Sequence, residues 1–210
     1  MLEIISFVLG PVETNAYLIA DTETGEAAAI DPAWDGLTMV DAAQERGWKI
    51  TQVWVTHAHF DHMAGAAAIV DALNPKPAVA LHPADRTLWQ MQGGAPMFGM
   101  SIDPGPAITV WLSPGQALQL GSYTFEVRHA PGHTPGHVVF YCAAQEVVFC
   151  GDVVFWGSIG RTDLPGGDYN TLIHSIQTQI LSLPDETLLL SGHGPETTVG
   201  VERRENPFLT

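Results

Sequence analysis

The chain has 210 residues, enough for one domain or two small ones, and 46% of them are apolar. That apolar fraction supports a sizeable buried core and excludes a disordered chain. The formal net charge is −15 with only eight Lys and Arg residues, which disfavours nucleic acids and anionic membrane surfaces as partners.

The first half of the chain alternates apolar runs with stretches of helical spacing. Strands are predicted at residues 2–9, 15–20, 27–30, 53–55 and 79–81, and helices at residues 37–46, 62–73 and 83–92. Residues 93–106 contain four Gly and three Pro and are predicted to form a long loop. Loops of this length tend to be functional. Its apolar side chains Met97, Phe98 and Met100 are expected either to line a substrate mouth or to cap the core.

The second half begins with strands and ends with a helix and a last strand. The strands are predicted at residues 109–112, 117–120, 123–129, 138–142, 147–150 and 187–190, and the helix at residues 169–183. No composition break marks a boundary, so we predict one domain over residues 1–210. Its predicted class is α/β (α+β), with two mixed sheets packed face to face and helices on both outer faces.

The cysteines and the N-terminus indicate a protein of the reducing cytoplasm. Cys142 and Cys150 are the only cysteines and lie in apolar runs, so we predict buried free thiols rather than a disulfide. The N-terminus has no basic leader and carries Glu3, so we predict no signal peptide. No apolar stretch reaches the roughly 18 residues that a membrane-spanning helix requires.

The most informative motif follows the predicted strand at residues 53–55 directly. His57, His59, Asp61 and His62 form an H-x-H-x-D-H pattern, which places three imidazoles and one carboxylate within six positions. A strand end followed by a tight loop can aim several such side chains at one point, where they bind a cation. A solvated histidine-rich loop is the alternative, and it is disfavoured because other segments supply further ligands.

Three further candidate ligands follow other apolar strands. They are His133, Asp152 and His193, which come after the strands ending near residues 129, 150 and 190. Each has a glycine neighbour, which lets the backbone approach a bound ion closely. His137, four residues after His133, is either a partner of this site or a core histidine.

The seven candidate ligands are imidazoles and carboxylates, with no thiolate. This donor set suits zinc, and also iron or manganese. Because seven ligands exceed the coordination number of one zinc ion, we predict two divalent metal ions, with zinc favoured. Two ions held close together can share a carboxylate and a water whose pKa falls from about 15.7 to roughly 7.

The order of these residues resembles the metallo-β-lactamase-fold superfamily over nearly the whole chain. Two segments are most similar to its glyoxalase II branch, the hydroxyacylglutathione hydrolases, and in particular to the short bacterial members. These segments are Gly157–Asp163 and the terminal stretch from Gly192–Pro195 to Asn206–Phe208. The resemblance implies the αββα sandwich of the metallo-β-lactamase fold, which agrees with the two-sheet arrangement predicted above.

The resemblance also implies a role for each ligand. The implied first metal site is His57, His59 and His133, and the implied second site is Asp61, His62 and His193. Asp152 matches the carboxylate that bridges both ions. Asp31 matches an upstream aspartate that supports the histidine loop, and an Asx turn before Pro32 is its alternative role.

These ligands predict a metal-dependent hydrolase in which a hydroxide bridging two ions attacks a carbonyl. Asp61 and Asp152 are the predicted catalytic residues, together with that hydroxide. A thiolate leaves without a dedicated acid, so the predicted substrate is a small-molecule thioester of the S-lactoylglutathione kind. Arg161 is a candidate for binding a substrate carboxylate, and a salt bridge with Asp163 or Asp168 is the alternative.

The chain departs from the family at its C-terminus. Full-length glyoxalase II enzymes carry a helical region that helps bind glutathione, whereas only 17 residues follow His193 here. We therefore predict no such domain, and the thiol carrier and the oligomeric state stay open. One alternative is a persulfide dioxygenase with a single iron at His57, His133 and Asp152, and a lactonase of the same fold is another.

Three other functions are disfavoured. A secreted β-lactamase of this fold usually lacks the bridging aspartate and carries a signal peptide, unlike this chain. A nuclease conflicts with the charge of −15. A metal-binding scaffold without activity predicts missing ligands, and no ligand of the implied set is missing.

Overall fold

The computed structural model describes residues 1–210 and contains two six-stranded sheets. The N-terminal half forms the first sheet, in the order β1 (Leu2–Leu9), β2 (Thr14–Asp21), β3 (Glu26–Ile30), β4 (Lys49–Trp54), β5 (Ala78–Leu81) and β6 (Val110–Trp111). Strands β1 to β3 pair antiparallel through short turns, and β3 to β6 pair parallel through crossovers. The predicted strands of this half are therefore present.

The C-terminal half forms the second sheet and a separate hairpin. Its strands are β7 (Ala117–Leu120), β8 (Tyr123–His129), β9 (Val138–Cys142), β10 (Val147–Gly151), β11 (Val154–Phe155), β12 (Ser158–Ile159), β13 (Leu188–Ser191) and β14 (Thr197–Thr198). The sheet order is β14-β13-β10-β9-β8-β7, in which only β10 and β13 pair parallel, and β11 pairs with β12 alone. Cys142 and Cys150 are buried free thiols on β9 and β10, as predicted.

Short helices cover the outer faces of the sheets or follow strand ends. They are α1 (Gly36–Glu45), α2 (Phe60–Met63), α3 (Ala66–Ala72), α4 (Arg86–Gln90), α5 (Tyr169–Ser175) and α6 (Val199–Glu205). Single 3-10 segments occur at Pro83–Asp85, Gln92–Phe98 and Ala143–Gln145, and a π-helical turn at Ile176–Ile180 continues α5. None of these helices has both the length and the apolar character needed to cross a bilayer.

Strand β2 shows how the sheets divide the interior into layers, because all eight of its residues are buried. Successive side chains of a strand point to opposite faces. Leu18 packs in one cluster with Met39 of α1 and Ile69 of α3, whereas Ile19 packs in a second cluster with Phe140 of the other sheet. A third cluster lies between the second sheet and α5. The layers are therefore helix, sheet, sheet and helix, which confirms the predicted αββα sandwich.

The prediction of one helix over residues 62–73 is wrong, because the chain forms α2 and α3 with a break at Gly65. The N–H of Gly65 donates to the carbonyl of Pro32 at 2.7 Å. A Cβ at this position would lie 2.8 Å from that same oxygen. The glycine thus lets the loop after β3 approach the helix start, a long-range contact that the helical spacing does not reveal.

Other differences concern short elements. Part of the predicted loop at residues 93–106 is a 3-10 segment, and the predicted helix at residues 169–183 ends in the π-helical turn. Strands β11, β12 and β14 were not predicted, since two-residue strands have no periodic pattern. Helix α6 was also missed. The assignment of residues 1–210 to a single domain, without a glutathione-binding helical domain, stays a prediction.

The carboxylate of Asp21, at the end of β2, links the first sheet to the turn between β7 and β8. It accepts hydrogen bonds from the N–H and the hydroxyl of Ser122, both at 2.8 Å, and from the N–H of Glu23 at 3.0 Å. The N–H groups of Ser122 and Glu23 are the main causes that lower the pKa of Asp21 to about 2. Because the usual value is 3.8, the carboxylate stabilises the fold above pH 3.8, and this contribution is lost as the pH falls toward 2.

We expect Asp21→Asn to reduce the dependence of stability on pH in the acid range. The parent protein should lose urea resistance more steeply than the variant as the pH falls from about 5 to 2, because only the parent has this carboxylate to protonate. The measurement is the urea unfolding midpoint at several pH values. Asp71→Asn, which alters an exposed carboxylate paired with Lys76, serves as the control. Equal acid sensitivity of parent and Asp21→Asn would contradict the prediction.

Candidate metal centre

The loops that follow β4, β8, β10 and β13 meet at one edge of the two sheets. Together with α2, which continues the first loop, they contain all seven predicted ligands, in the segments Thr56–His62 and Ala130–His137 and at Asp152 and His193. The N–H of Val138 donates to the carbonyl of Thr56 at 2.8 Å and joins the first two loops. The N–H of Gly192 donates to the carbonyl of Gly151 at 2.8 Å and joins the other two.

The first ligand group consists of His57, His59 and His133, which are buried and whose ring nitrogens converge. The Nδ1 atom of His59 lies 2.8 Å from Nε2 of His133, which lies 3.2 Å from Nε2 of His57. The Nδ1 atom of His133 donates to the carbonyl oxygen of Arg161 at 2.8 Å. This bond sets the tautomer in which Nε2 of His133 offers its lone pair to the group.

The second ligand group consists of Asp61, His62 and His193 and lies beside the first. The Oδ2 atom of Asp61 is 3.4 Å from Nε2 of His62 and 3.3 Å from Nε2 of His193. The hydroxyl of Thr14 donates to the same oxygen at 3.0 Å. The group therefore presents one carboxylate oxygen and two ring nitrogens to a common point.

The carboxylate of Asp152 lies between the two groups. Its Oδ1 atom is 3.3 Å from Nε2 of His62, and its Oδ2 atom is 3.5 Å from Nε2 of His133 and 3.6 Å from Nε2 of His193. Gly192 passes so close that a Cβ would overlap Oδ1 of Asp152 and the ring of His62. A glycine at this position is therefore part of how the chain brings Asp152 against both groups.

Burial and charge set the protonation of these ligands. Burial lowers the pKa of His57 well below its usual value and that of His59 to about 3, so both rings are neutral. Burial opposes the charging of His62, but the carboxylates of Asp152 and Asp61 outweigh it and raise the pKa of His62. Burial also opposes ionisation of the two carboxyl groups. The charge of His62 outweighs this effect of burial. It lowers the pKa of Asp61 to about 2 and holds the pKa of Asp152 well below its usual range.

The donor atoms of this cluster fit a metal centre. The buried atoms Nε2 of His62 and Oδ1 of Asp152 have no hydrogen-bond partner, although buried polar atoms are nearly always paired. The neutral rings of His57 and His59 direct further lone pairs to the same region. Cations at this place would satisfy these atoms, and imidazoles and carboxylates without thiolate suit divalent zinc, iron or manganese.

Asp31 lies behind the ligands and fixes the histidine loop. Its carboxylate accepts hydrogen bonds from the N–H and the hydroxyl of Thr56, both at 2.7 Å, and faces Nδ1 of His62 at 3.0 Å. These contacts are those expected of a residue that supports the histidine loop, and that role stays a prediction. Because Nδ1 of His62 bonds Asp31, its Nε2 atom is left to face Asp61 and Asp152.

One buried residue near the cluster, Asp85, was not singled out from the sequence. The carboxylate of Asp85 accepts from the N–H of Ala58 at 3.0 Å, the hydroxyl of Thr134 at 2.8 Å and the N–H of Gly136 at 2.6 Å. Asp85 therefore joins the two histidine loops. Burial raises its pKa, although these three donors oppose the shift. The sequence feature that could have identified Asp85 is its position shortly after β5, because the other candidate site residues also follow strand ends.

His137 is another buried residue near the cluster, and the sequence left it open between a site role and a core role. Its Nε2 atom accepts a hydrogen bond from the N–H of Asp152 at 3.0 Å. Its ring stacks on that of His57, with centroids 4.6 Å apart and planes 17° apart. His137 thus positions one ligand through its backbone and another through its ring.

Arg161 lies at the opening of the site, where its side chain pairs with Asp163. The guanidinium donates to both carboxylate oxygens of Asp163, at 2.7 and 2.8 Å. This is one of the two salt bridges considered for it. Its role in binding a substrate carboxylate stays a prediction.

Two adjoining cavities open at the cluster. One, of about 230 Å³, is lined by five of the ligands together with Phe98, Met100, Arg161 and other residues. The other, of about 210 Å³, lies beside His59 and has walls from Met91, Met97 and Phe98. Trp89 of α4, which precedes this loop, packs in the core and lines neither cavity. The apolar residues of the loop that follows α4 therefore line the mouth, which was one of the two roles expected for them.

Both the two-sheet sandwich and the cluster at its edge are features of one superfamily. The sequence matches the metallo-beta-lactamase superfamily over residues 9–193. The chain therefore belongs to this superfamily of metallo-hydrolases, which confirms the resemblance seen in the sequence.

Similar proteins support this membership. The hydroxyacylglutathione hydrolase GloC of Haemophilus influenzae is 38% identical over 199 residues, which cover 94% of this chain and 93% of that protein. The crystal structure of the BLEG-1 B3 metallo-beta-lactamase has a TM-score of 0.92 at 38% identity and covers 99% of this chain and 100% of that chain. The crystal structure of TTHA1623 in a di-iron-bound form has a TM-score of 0.88 at 41% identity, with coverage of 98% and 100%.

Proposed function

We propose that the protein is a cytoplasmic thioester hydrolase of the glyoxalase II type, which works with two divalent metal ions, zinc first among them. The main support is the position of Asp152, whose two carboxylate oxygens face both ligand groups. A shared carboxylate is a common feature of sites for paired ions. The identity to a protein named hydroxyacylglutathione hydrolase supports the substrate, and the di-iron form of TTHA1623 supports a pair of ions.

In this proposal each ligand group would hold one ion, and Asp152, which faces both groups, would be shared between them. The first ion takes His57, His59 and His133, and the second takes Asp61, His62 and His193. Bound divalent ions supply Lewis-acid activation of a carbonyl and a water nucleophile at neutral pH. The protein orients the ligands through Asp31 behind His62 and through the carbonyl of Arg161 behind His133. The low pKa values of Asp61 and Asp152 keep both carboxylates ionised at neutral pH.

The lining of the cavities favours a leaving group that needs no proton donor. No lysine, tyrosine or cysteine lines either cavity, and Arg161 is the only Lys or Arg side chain among the lining residues. A thiol has a pKa of about 8.5, so it leaves as a thiolate far more easily than an amine leaves as its anion. A small-molecule thioester therefore suits these residues better than an amide.

The test is a panel of substrates with protein of known metal content. Protein loaded with zinc or iron should cleave S-lactoylglutathione and simple thioesters, and removal of the metal with a chelator should abolish the activity. Two further assays serve for comparison: oxygen uptake with a persulfide, and hydrolysis of a lactone. Protein that holds two metal ions per chain and cleaves no thioester would overturn the proposal. Persulfide-dependent oxygen uptake with one iron per chain would replace it with the dioxygenase function.

β-Lactam hydrolysis is a second candidate function, favoured by the similarity to the BLEG-1 B3 metallo-beta-lactamase. The same panel tests it when a penicillin and a cephalosporin are added. We expect kcat/KM for thioesters to exceed that for β-lactams, because a thiolate is a much better leaving group than an amine anion and no lysine, tyrosine or cysteine lines the cavities. The reverse order would favour the β-lactamase function.

A further inference from the structure

The cavity of about 210 Å³ beside the ligands has an almost entirely apolar wall. Its apolar lining residues are Leu88, Met91, Met97, Phe98, Leu164 and the prolines at 135 and 165. It shares His59, Phe98 and Leu164 with the cavity that contains the other ligands. A group that enters it is therefore next to the reacting centre. The cavity thus adjoins the candidate metal centre and is not a remote surface groove.

The backbone that forms one wall of this cavity is held in place. Gly93 and Gly94 have left-handed φ values of 60° and 78°, and a Cβ at Gly93 would overlap the backbone of Phe60. The ring of Phe98 packs on that of Phe60, with centroids 5.5 Å apart. The segment Gln92–Phe98 thus packs on α2, which contains Asp61 and His62 of the histidine motif.

The charges of the cavity lining and of the whole protein also favour a neutral ligand. Arg161 is the only Lys or Arg residue that lines either cavity, and its Nε and Nη2 atoms already donate to the two carboxylate oxygens of Asp163. Glutathione has two carboxylates, and no unpaired cation of the lining is available to them. The net charge of −15 adds long-range repulsion of anions. A neutral ligand meets neither obstacle.

We propose that the cavity binds a neutral, apolar substituent of the substrate, so that the enzyme prefers uncharged aliphatic or aromatic thioesters to glutathione thioesters. This inference rests on the proposed thioester hydrolase function. An apolar cavity of about 150 Å³ accommodates benzene, so there is room here for a phenyl group or a short aliphatic chain. Each methylene buried in the cavity should raise kcat/KM about fourfold until the cavity is full.

The experiment compares two series of thioesters on the metal-loaded enzyme. Acetyl, butanoyl and hexanoyl esters of N-acetylcysteamine, a neutral thiol, are matched with the same esters of glutathione. We expect kcat/KM to rise with acyl length and to be at least tenfold higher in the neutral series. A second arm uses acetyl thioesters of alkyl thiols of increasing length, which shows whether the acyl or the thiol part occupies the cavity. A kcat/KM that does not depend on length in either arm, or that is higher for glutathione, would overturn the inference.

Variants of the lining residues test whether the dependence of kcat/KM on chain length arises in this cavity. Ala84 is exposed and lines it, so Ala84→Phe should fill it and lower the hexanoyl-to-acetyl ratio of kcat/KM at least tenfold. Met97→Gln, a change of an exposed wall residue to a polar one of similar length, should lower the ratio in the same direction. Ala144→Phe alters an exposed alanine of the turn between β9 and β10 and serves as the matched control. An unchanged ratio in Ala84→Phe would contradict the assignment.

A binding measurement separates this inference from the proposed function. Calorimetry with S-hexyl-N-acetylcysteamine and S-hexylglutathione, two thioethers that cannot be hydrolysed, requires no turnover. We expect the neutral thioether to bind at least tenfold more tightly and Ala84→Phe to weaken that binding. If thioethers bind in this way but no thioester is cleaved, the proposed function fails and the cavity assignment holds. If thioesters are cleaved but the glutathione thioether binds as tightly, only the cavity assignment fails.

Discussion

Asp152→Ala is expected to abolish both the loading of two metal ions and the turnover of thioesters. The carboxylate is the one group whose oxygens face ligands of both sites, at 3.3 Å from His62 and 3.5 Å from His133. Loss of an outer partner of a ligand typically costs 10–100-fold in affinity or activity, and loss of a shared ligand should cost more. We expect a fall in kcat/KM of more than about 10³, with at most one metal ion per chain.

Metal analysis and steady-state kinetics on the same preparations check this prediction. Asp152→Asn keeps the shape and one oxygen donor but not the charge, so it should retain part of the metal content while losing most of the activity. Asp71→Asn changes an exposed carboxylate beside Lys76 and should alter neither quantity. A fully active Asp152→Ala enzyme with two metal ions would show that the shared ligand lies elsewhere.

The candidate ligands could be selected from the sequence because their signal is local. His57, His59, Asp61 and His62 lie within six positions, and a buried strand precedes them. Each of the other ligands also follows an apolar strand, so the fold prediction placed them at sheet edges. The pattern alone does not determine which of these edges meet. The resemblance to the superfamily indicated which edges meet, and in the structure the seven residues lie together.

The residues that hold the ligands were harder to predict, because their signal is long-range. Asp85 bonds Ala58, 27 residues earlier, and Gly136, 51 residues later, and nothing in its own neighbourhood records either partner. The break between α2 and α3 has the same origin, since it depends on a contact between Gly65 and Pro32. Periodicity describes how a segment turns its faces to the core, but not which distant backbone group approaches it.

The sequence leaves the role of the loop at residues 93–106 open for a similar reason. Gly and Pro content shows that a segment is irregular, and apolar side chains within it fit either the core or a mouth. Trp89, just before the loop, packs in the core, whereas Met97 and Phe98 line the cavity, although all three lie within ten positions. Gly93 packs against the backbone of Phe60, and this contact holds Met97 and Phe98 at the cavity wall. The contact exists only in the folded chain, so the sequence does not reveal it.

Asp85→Ala is expected to destabilise the protein more than removal of any exposed carboxylate. It would leave two buried N–H groups and the hydroxyl of Thr134 without their acceptor, at a cost of about 1–3 kcal/mol for each unpaired group. Water that enters the space recovers part of this, so we expect a loss of roughly 3–5 kcal/mol in the free energy of unfolding. Since Asp85 joins both histidine loops, metal affinity should fall by about 10–100-fold as well.

Urea unfolding with and without metal measures the first effect, and titration of metal-free protein with zinc measures the second. Asp85→Asn retains one acceptor oxygen and should show an intermediate loss of stability. Asp103→Ala is the matched control, because Asp103 also accepts a backbone N–H, that of Gly105, but is exposed. Its effect should stay within about 1 kcal/mol, as is usual for surface sites. An Asp85→Ala protein as stable as Asp103→Ala would mean that the two loops hold their positions without this carboxylate, and the converging rings of His57, His59 and His133 would then need another support.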